Sequence, residues 1–496
     1  MNLLGIDIGS SSVKASILDS DTGECIGSAF YPEDEMTIIA PQPGWAEQNP
    51  ELWWKNTIKA VRTSLKRSKV KPENIKAIGI SYQMHGLVCI DKNYELLRPS
   101  IIWCDSRAVE IGNKAFKTIG EKRCLQNLLN SPGNFTASKL KWIKENEPEV
   151  FNKIHKIMLP GDYVALRMTG NINTTYSGLS EGILWDFKNN RLADFLLDYY
   201  GINENLLADS QPSFVEHGRL KKSAALELGL KEGVPLTYRA GDQPNNAFSL
   251  NVLNTGEIAT TAGTSGVVYG LTDKIKYDPL SRVNTFLHVN HSTENIRLGV
   301  LLCINGTGIL NSWLRKNITA GLSYEEINSM ASQVQVGSNK LVVLPFGNGA
   351  ERMLENKEIG SHIFNLNYNI HSQEHIMRAS QEGIAFAFKY GMDIMSEAGI
   401  IPKTMRAGNA NMFLSEIFRN TLAGISKVNI ELYNTDGSIG AARGAGIGAG
   451  IYNSFDEAFE SLEKITNIEP PPITDDLQEA YSRWKNKLKQ LIINNE

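Results

Sequence analysis

The chain lacks most of the local signatures that assign a protein at sight. Its five cysteines (Cys25, Cys89, Cys104, Cys124 and Cys303) are scattered and never spaced as CxxC, so neither a disulfide framework nor a zinc knuckle is indicated, and a reducing, cytoplasmic setting is expected. The most apolar stretches, such as LGVLLCI from Leu298, fall far short of the roughly 20 residues a bilayer crossing needs. The apolar start is interrupted by Asp7 and has no basic region before it, so neither a membrane partner nor a signal peptide is expected. Basic residues are not in excess: 50 Lys and Arg against 54 Asp and Glu leave a formal charge of -4, no field for a nucleic acid partner. Any phosphate must be held locally. There is also no GxxxxGK[ST] loop and no full GxGxxG; the nearest string, Gly306-Thr307-Gly308, is too short for a dinucleotide fold.

What is present is a globular composition, 42% hydrophobic and 21% charged, spread over 496 residues, which is more than one hydrophobic core holds. Two large lobes are expected. LLGIDIG from Leu3, alternating SVKASILD from Ser12 and a turn at Asp21 to Gly23 predict strands. Asn49 and Pro50 open a helix with Trp54, Ile58, Val61 and Leu65 on one face. Strand-like AIGIS and LVCI and helical segments near 138–146 and 162–168 follow, an α/β order. A second β-rich start, EIATTAGTSGVVYGL from Glu257, repeats the pattern of IDIGSSSVKASIL, setting Gly263-Thr264-Ser265-Gly266-Val267 against Gly9-Ser10-Ser11-Ser12-Val13. The repeat suggests two similar lobes joined near 243–256, each opening with a hairpin whose turn faces a shared cleft. Later, Ala379, Gly383 and Ala387 share one face of a helical stretch from Glu374 to Met395. GSIGAARGAGIGAG from Gly437 is also read as a helix, because Ile439, Arg443 and Ile447 recur every four residues. Glycine weakens a helix interior by roughly 1 kcal/mol relative to alanine, so such a run implies a packing or ligand reason. After EPPPITDD, a terminal amphipathic helix carries Leu477, Tyr481, Trp484 and Leu488 and is assigned to packing.

Turns rich in Gly and Ser or Thr expose N–H groups and hydroxyls that can bind phosphate oxygens without a P-loop lysine, and both hairpin turns qualify. Asp7 lies inside an apolar strand, where a carboxylate is costly unless it is paired or binds a cation; it is either a metal carboxylate or bonded to its own turn. Asp242 follows strand-like PLTYRA and precedes a Pro-Asn turn. Local features leave it as a turn cap or a base.

Seven strings then converge: GIDIGSSSVK at Gly5, GWAEQNPELWW at Gly44, SYQMHG at Ser81, WCDSR at Trp103, LPGDYVALRMTG at Leu159, AGDQ at Ala240 and AGTSGVV at Ala262. Together, and in family order, they resemble the FGGY carbohydrate kinases. The resemblance implies two ribonuclease H-like lobes of the actin-like ATPase fold with ATP and the active site between them: a sugar-binding lobe over 1–247, a nucleotide-binding lobe over 248–455 and a helical tail over 456–496 packing on the second lobe. It implies ATP-dependent phosphorylation of a ketose, D-xylulose foremost, with Asp242 as general base and Asp7 the carboxylate near Mg²⁺ and phosphate. Gln83, Met84, His85, Trp103, Asp105 and Gln243 are placed by it at the sugar. Gly9, Ser10, Ser11, Ser12 and Lys14, then Gly263, Thr264, Ser265, Gly308, Ser312, Gly408, Asn409 and Asn411, are placed at the nucleotide.

The chain departs from the family pattern in three places. RAGNANMFLS from Arg406 stands where relatives carry a GGGA-type turn, GAERMLENKEIG keeps only Glu351 and Arg352 of an ERTP string, and QPNN follows Asp242. The last leaves L-ribulose, L-fuculose, D-gluconate or a polyol as alternative substrates. A non-catalytic actin-like ATPase would share the phosphate turns but has no use for a QMHG sugar wall; a silent sugar sensor would not need both Asp7 and Asp242. A homodimer is left open.

Overall fold

A computed structural model describes residues 1–494, which form two compact units. The first unit comprises Met1–Leu253, Phe286–Leu298 and Thr435–Leu462. Its six-stranded sheet is built from β1 (Asn2–Ile8), β2 (Val13–Asp19), β3 (Cys25–Tyr31), β4 (Ile75–Tyr82), β5 (Gly218–Arg219) and β6 (Pro235–Gly241), in the order β5-β6-β4-β1-β2-β3. β1, β2 and β3 form an antiparallel meander, while β4 runs parallel to both β1 and β6. The period of two along β1 sorts its side chains between two layers. Leu4, Ile6 and Ile8 join a core with Trp53, Trp54 and Val61 of the helix Pro50–Ser68, which is capped by Asn49 as expected. Leu3 joins a second core with Ala441, Ala442 and Ala445 of the glycine-rich helix Gly437–Gly448, and Gly5 abuts the same helix. Asp7 is therefore on the face that meets this helix.

Contact between backbones explains the glycines. A Cβ on Gly5 would stand 1.8 Å from the Ser438 carbonyl oxygen, one on Gly79 2.0 Å from that of Ala441, and one on Gly448 1.9 Å from that of Thr237. Strand and helix both give up side chains so that the helix can lie directly on β1, β4 and β6.

The second unit comprises Asn254–Thr285, Gly299–Asn434 and the chain from Glu463. The second sheet uses β7 (Glu257–Ala262), β8 (Gly266–Thr272), β9 (Asn284–Leu287, whose last two residues are counted with the first unit), β10 (Leu298–Ile304, whose first residue is as well), β11 (Thr404–Gly408), β12 (Asn429–Tyr433) and β13 (Lys464–Ile468), ordered β9-β10-β8-β7-β11-β12-β13. β7 pairs antiparallel with β8 and parallel with β11, the arrangement that β1 makes with β2 and β4. The repeat between the two hairpins thus extends to their parallel neighbours. The long helix Gln373–Glu397 packs with Gly383 against Val343, where a Cβ would meet the carbonyl oxygen at 2.2 Å. Buried Trp484 of the last helix, Asp475–Asn494, donates its indole N–H to the same carbonyl at 3.0 Å.

The unit boundaries differ from the sequence expectation. The first break falls after Leu253, and Thr435–Leu462, expected in the second lobe and its tail, belongs to the first unit. The reason is the glycine-rich helix: its small residues fit the bare strip that Gly5 and Gly79 leave on the first sheet.

Candidate active site

Asp7 is the next-to-last residue of β1 and is registered with Lys14 on one side and Ser81 on the other. Gly241 ends β6 opposite Tyr82, and Asp242 begins the helix Asp242–Ser249. Both carboxylates thus sit at the carboxyl ends of parallel strands, where open α/β sheets place ligands. Both are partly buried, and burial is the main cause that raises their pKa values. Asp242 is pushed up to about 7 by burial and then by the like charge of Asp7, against hydrogen bonds from the backbone and side chain of Gln243. Asp7 reaches about 6 through burial, partly offset by the Ser81 hydroxyl and Lys14 and reinforced by Asp436. A Cβ on Gly437 would lie 2.4 Å from Asp7 Oδ2, so the start of the glycine-rich helix presses on this carboxylate. Lys14 is already committed, with its Nζ 2.6 Å from Asp436 Oδ2.

The QMHG string forms a wall beside Asp242. Met84 is buried, and its Cγ lies 2.6 Å from where a Cβ on Gly241 would stand. His85 adopts a left-handed φ of 63°, unusual for a residue with a side chain. Its backbone N–H donates to Glu181 Oε1 at 3.3 Å, and its Nδ1 is 2.9 Å from the Glu181 carbonyl oxygen. Phe135 and Phe286 flank the ring at 4.8 and 5.3 Å between centroids. Gln83 is buried and ties the first turn in place, its Nε2 donating to Gln48 Oε1 at 3.1 Å and to the Gly9 carbonyl at 3.5 Å. Gln48 in turn donates to the Ser10 carbonyl at 2.6 Å. Within the turn the Gly9 N–H bonds the Ser12 carbonyl at 2.9 Å, and the Ser11 carbonyl accepts from the Met36 N–H at 2.7 Å.

Trp103 and Asp105 occupy the turn that follows the short strand Ser100–Ile101. Trp103 is exposed, with its indole N–H 3.4 Å from Ser10 Oγ. Asp105 is fully buried, and both its oxygens are filled by the Ala46 N–H at 2.6 Å and by the N–H groups of Arg107 at 2.7 to 3.0 Å. It braces the turn that presents Trp103.

In the second unit, the turn Gly263-Thr264-Ser265 meets the start of the helix Gly308–Asn317: the Gly308 N–H donates to the Gly263 carbonyl at 2.9 Å and the Ile309 N–H to that of Thr264 at 3.1 Å. A Cβ on Gly308 would stand 2.3 Å from the Gly263 oxygen, so the junction needs glycine. Gly263, Thr264, Gly308, Ser312 and Asn411 line one cavity of about 400 Å³. Ser265, Gly408 and Asn409 are not among its walls, which add Tyr324, Asn328 and Met412, unanticipated from sequence. Glu351 is buried and accepts the Asn305 and Gly306 N–H groups at 3.0 and 2.9 Å, fixing the approach to that helix.

Glu181 was missed. It is buried, its carboxyl is held well above the ordinary range by burial and by the charges of Asp242 and Asp162, and the His85 N–H only partly counters this. Its one signal was a lone acid in the small and apolar string YSGLSEGILW. Asp436 and Gly437 were missed because nothing local links the TDG before the glycine run to the first strand.

A mixed sheet ending in two coupled carboxylates, and a second sheet with the same hairpin opening beside a glycine turn, constitute an actin-like ATPase fold. The chain belongs to the FGGY family of carbohydrate kinases, whose N-terminal domain matches residues 2–249 and whose C-terminal domain matches 258–448. It is 29% identical to the xylulose kinase of Escherichia coli (strain K12) over 451 residues, 89% of this chain and 88% of that protein. In fold it is similar to the xylulose kinase of Rhodospirillum rubrum (TM-score 0.89, 22% identity, 99% of each chain). It is equally similar to Plasmodium falciparum glycerol kinase solved with ADP (TM-score 0.89, 20% identity, 99% of this chain and 98% of that one). As a carbohydrate kinase it uses ATP and a small hydroxyl-bearing substrate. Among the described residues, no helix is long and apolar enough to cross a membrane.

Proposed function

We propose that this chain phosphorylates D-xylulose with ATP in the cytoplasm, Asp242 accepting the hydroxyl proton as the sugar oxygen attacks the γ-phosphate. The observation that carries the reading is Asp242 itself: a carboxylate at a strand end, beside the Met84–His85 wall, poised near neutral pH by burial and by Asp7. A base whose pKa lies near the working pH combines the right protonation state with a useful driving force. The proton is taken late, because the hydroxyl becomes acidic only as it bonds to phosphorus, and the transition state spreads charge over the transferred oxygens. Gln243 holds the Asp242 carboxylate through hydrogen bonds. Met84, His85 and exposed Trp103 are assigned to the sugar, and the Gly263–Thr264 turn with Gly308, Ser312 and Asn411 to the nucleotide.

Mg²⁺ fits the donors present. Asp7 is a raised, partly buried carboxylate whose nearest cation, Lys14, is engaged by Asp436, and Mg²⁺ is commonly held by one or two carboxylates plus substrate phosphates. Bound there, Mg²⁺ would supply charge neutralisation for the transferred phosphoryl group. Xylulose kinases among the relatives favour D-xylulose; the fold alone does not choose the sugar, since it is shared with a glycerol kinase. A coupled assay of ADP release with Mg-ATP across D-xylulose, L-ribulose, L-fuculose, D-gluconate and glycerol tests the reading. D-xylulose should give the highest kcat/KM, and a higher value for any other substrate overturns that assignment.

A further inference from the structure

The two segments assigned to the sugar, Met84–His85 and the turn bearing Trp103, are separate in sequence and are gripped by a third. Lys139, on the helix Thr136–Asn146, is fully buried, and its Nζ donates to the His85 carbonyl and to the Ile102 carbonyl, both at 2.9 Å. One side-chain nitrogen therefore ties a residue in the left-handed region to the residue that precedes Trp103. Neighbours on the same segment add to the grip. Asn134 donates to the Asp105 carbonyl, Phe135 packs edge-on against the His85 ring, and the Thr136 hydroxyl is 3.5 Å from the Gly86 carbonyl. A left-handed, side-chain-bearing residue persists only where its surroundings over-determine it, and this segment does so for His85. Burying a lysine is expensive; Asp105 offsets the cost in part. A core filler would need no donor, whereas two carbonyls from two separate wall segments are both satisfied by this one nitrogen.

We propose that Lys139 is a positioning residue for the sugar, setting the spacing of the His85 and Trp103 walls and hence the KM and selectivity for the sugar. The inference rests on reading those walls as the sugar's. Lys139→Met keeps the unbranched apolar stem, one atom shorter, and removes the donors; Asn134→Ala releases the neighbouring grip at a less buried position and serves if the first variant does not fold. In the full chain, hydrogen exchange should quicken in peptides over 83–88 and 101–107 while β1 is unchanged. KM for D-xylulose should rise about tenfold in Lys139→Met, the scale expected when a reacting group is misplaced by a fraction of an ångström, and less in Asn134→Ala. KM for ATP should stay within about twofold, since uniform loss of fold would raise both. Unchanged exchange in both peptides, or an equal rise in both KM values, overturns the proposal. If the wild-type chain phosphorylates no sugar, the functional reading fails, and the exchange comparison alone decides whether Lys139 sets the two walls.

Discussion

Asp7 and Asp242 place two like charges in partly buried positions, and the consequences can be read by pH. Asp242 acts as a base only when ionised, so kcat/KM should fall on the acid side with an apparent midpoint near its pKa of about 7, the pair titrating together. Because the Asp7 charge raises Asp242, Asp7→Asn should move that acid limb of the residual activity to lower pH. A limb that stays in place or moves up contradicts the coupling. Stability should respond with the opposite sign to that of a salt-bridged carboxylate. Asp7 and Asp242 rise from 3.8 to about 6 and about 7, so the folded chain binds protons more tightly than the unfolded one. Their favourable contribution is complete below about pH 4 and is lost as pH rises through about 6 to 7. Asp242→Asn should therefore melt higher than the wild type near pH 8, by about 3 °C or more, with the gap shrinking toward pH 5. Equal melting temperatures at both pH values would show that the burial penalty is absent. At this scale the sequence was informative where a motif spans the residue. Asp242 was open between turn cap and base until the sugar strings framed it, whereas Glu181 went unread because its partner is a backbone N–H 96 positions away.

The element that most controls the site is the glycine-rich helix Gly437–Gly448. Its helical period was legible from Ile439, Arg443 and Ile447, and the cost of its glycines correctly signalled a close packing partner. That partner was not legible, because Gly5 and Gly79 read in isolation as ordinary strand glycines. The structure predicts sharp contrasts among glycines. Gly79→Ala drives a Cβ to 2.0 Å from the Ala441 carbonyl oxygen, and neither backbone can give way cheaply. It should lower stability by about 2 kcal/mol or more, the scale of overpacking a filled interior. Gly408→Ala meets nothing within 4 Å and has no left-handed φ, so its melting temperature should match the wild type. Thermal melts of the two variants check this, and a tolerated Gly79→Ala would mean that the helix does not lie against β4 as described.

For the whole molecule, the α/β class and the two-unit plan followed from length, strand order and the repeated hairpin. The structure extends that repeat to β4 and β11, the parallel neighbours of β1 and β7. What escaped was the exchange of chain between units, by which Thr435–Leu462 returns to the first. A linear reading assigns segments by adjacency, whereas packing assigns them by the complementary surfaces they bury, and that complementarity is invisible until both surfaces are built. The account as a whole stands on phosphoryl transfer with Asp242 as base. Its most direct test is ADP release with Mg-ATP and saturating D-xylulose, comparing the wild type with Asp242→Asn at about pH 8, where the carboxylate is ionised. The account predicts sugar-dependent turnover in the wild type and a kcat lower by about 10²-fold or more in the variant, with nucleotide affinity retained. Near-normal turnover in Asp242→Asn, or ADP release indifferent to sugar, would contradict it.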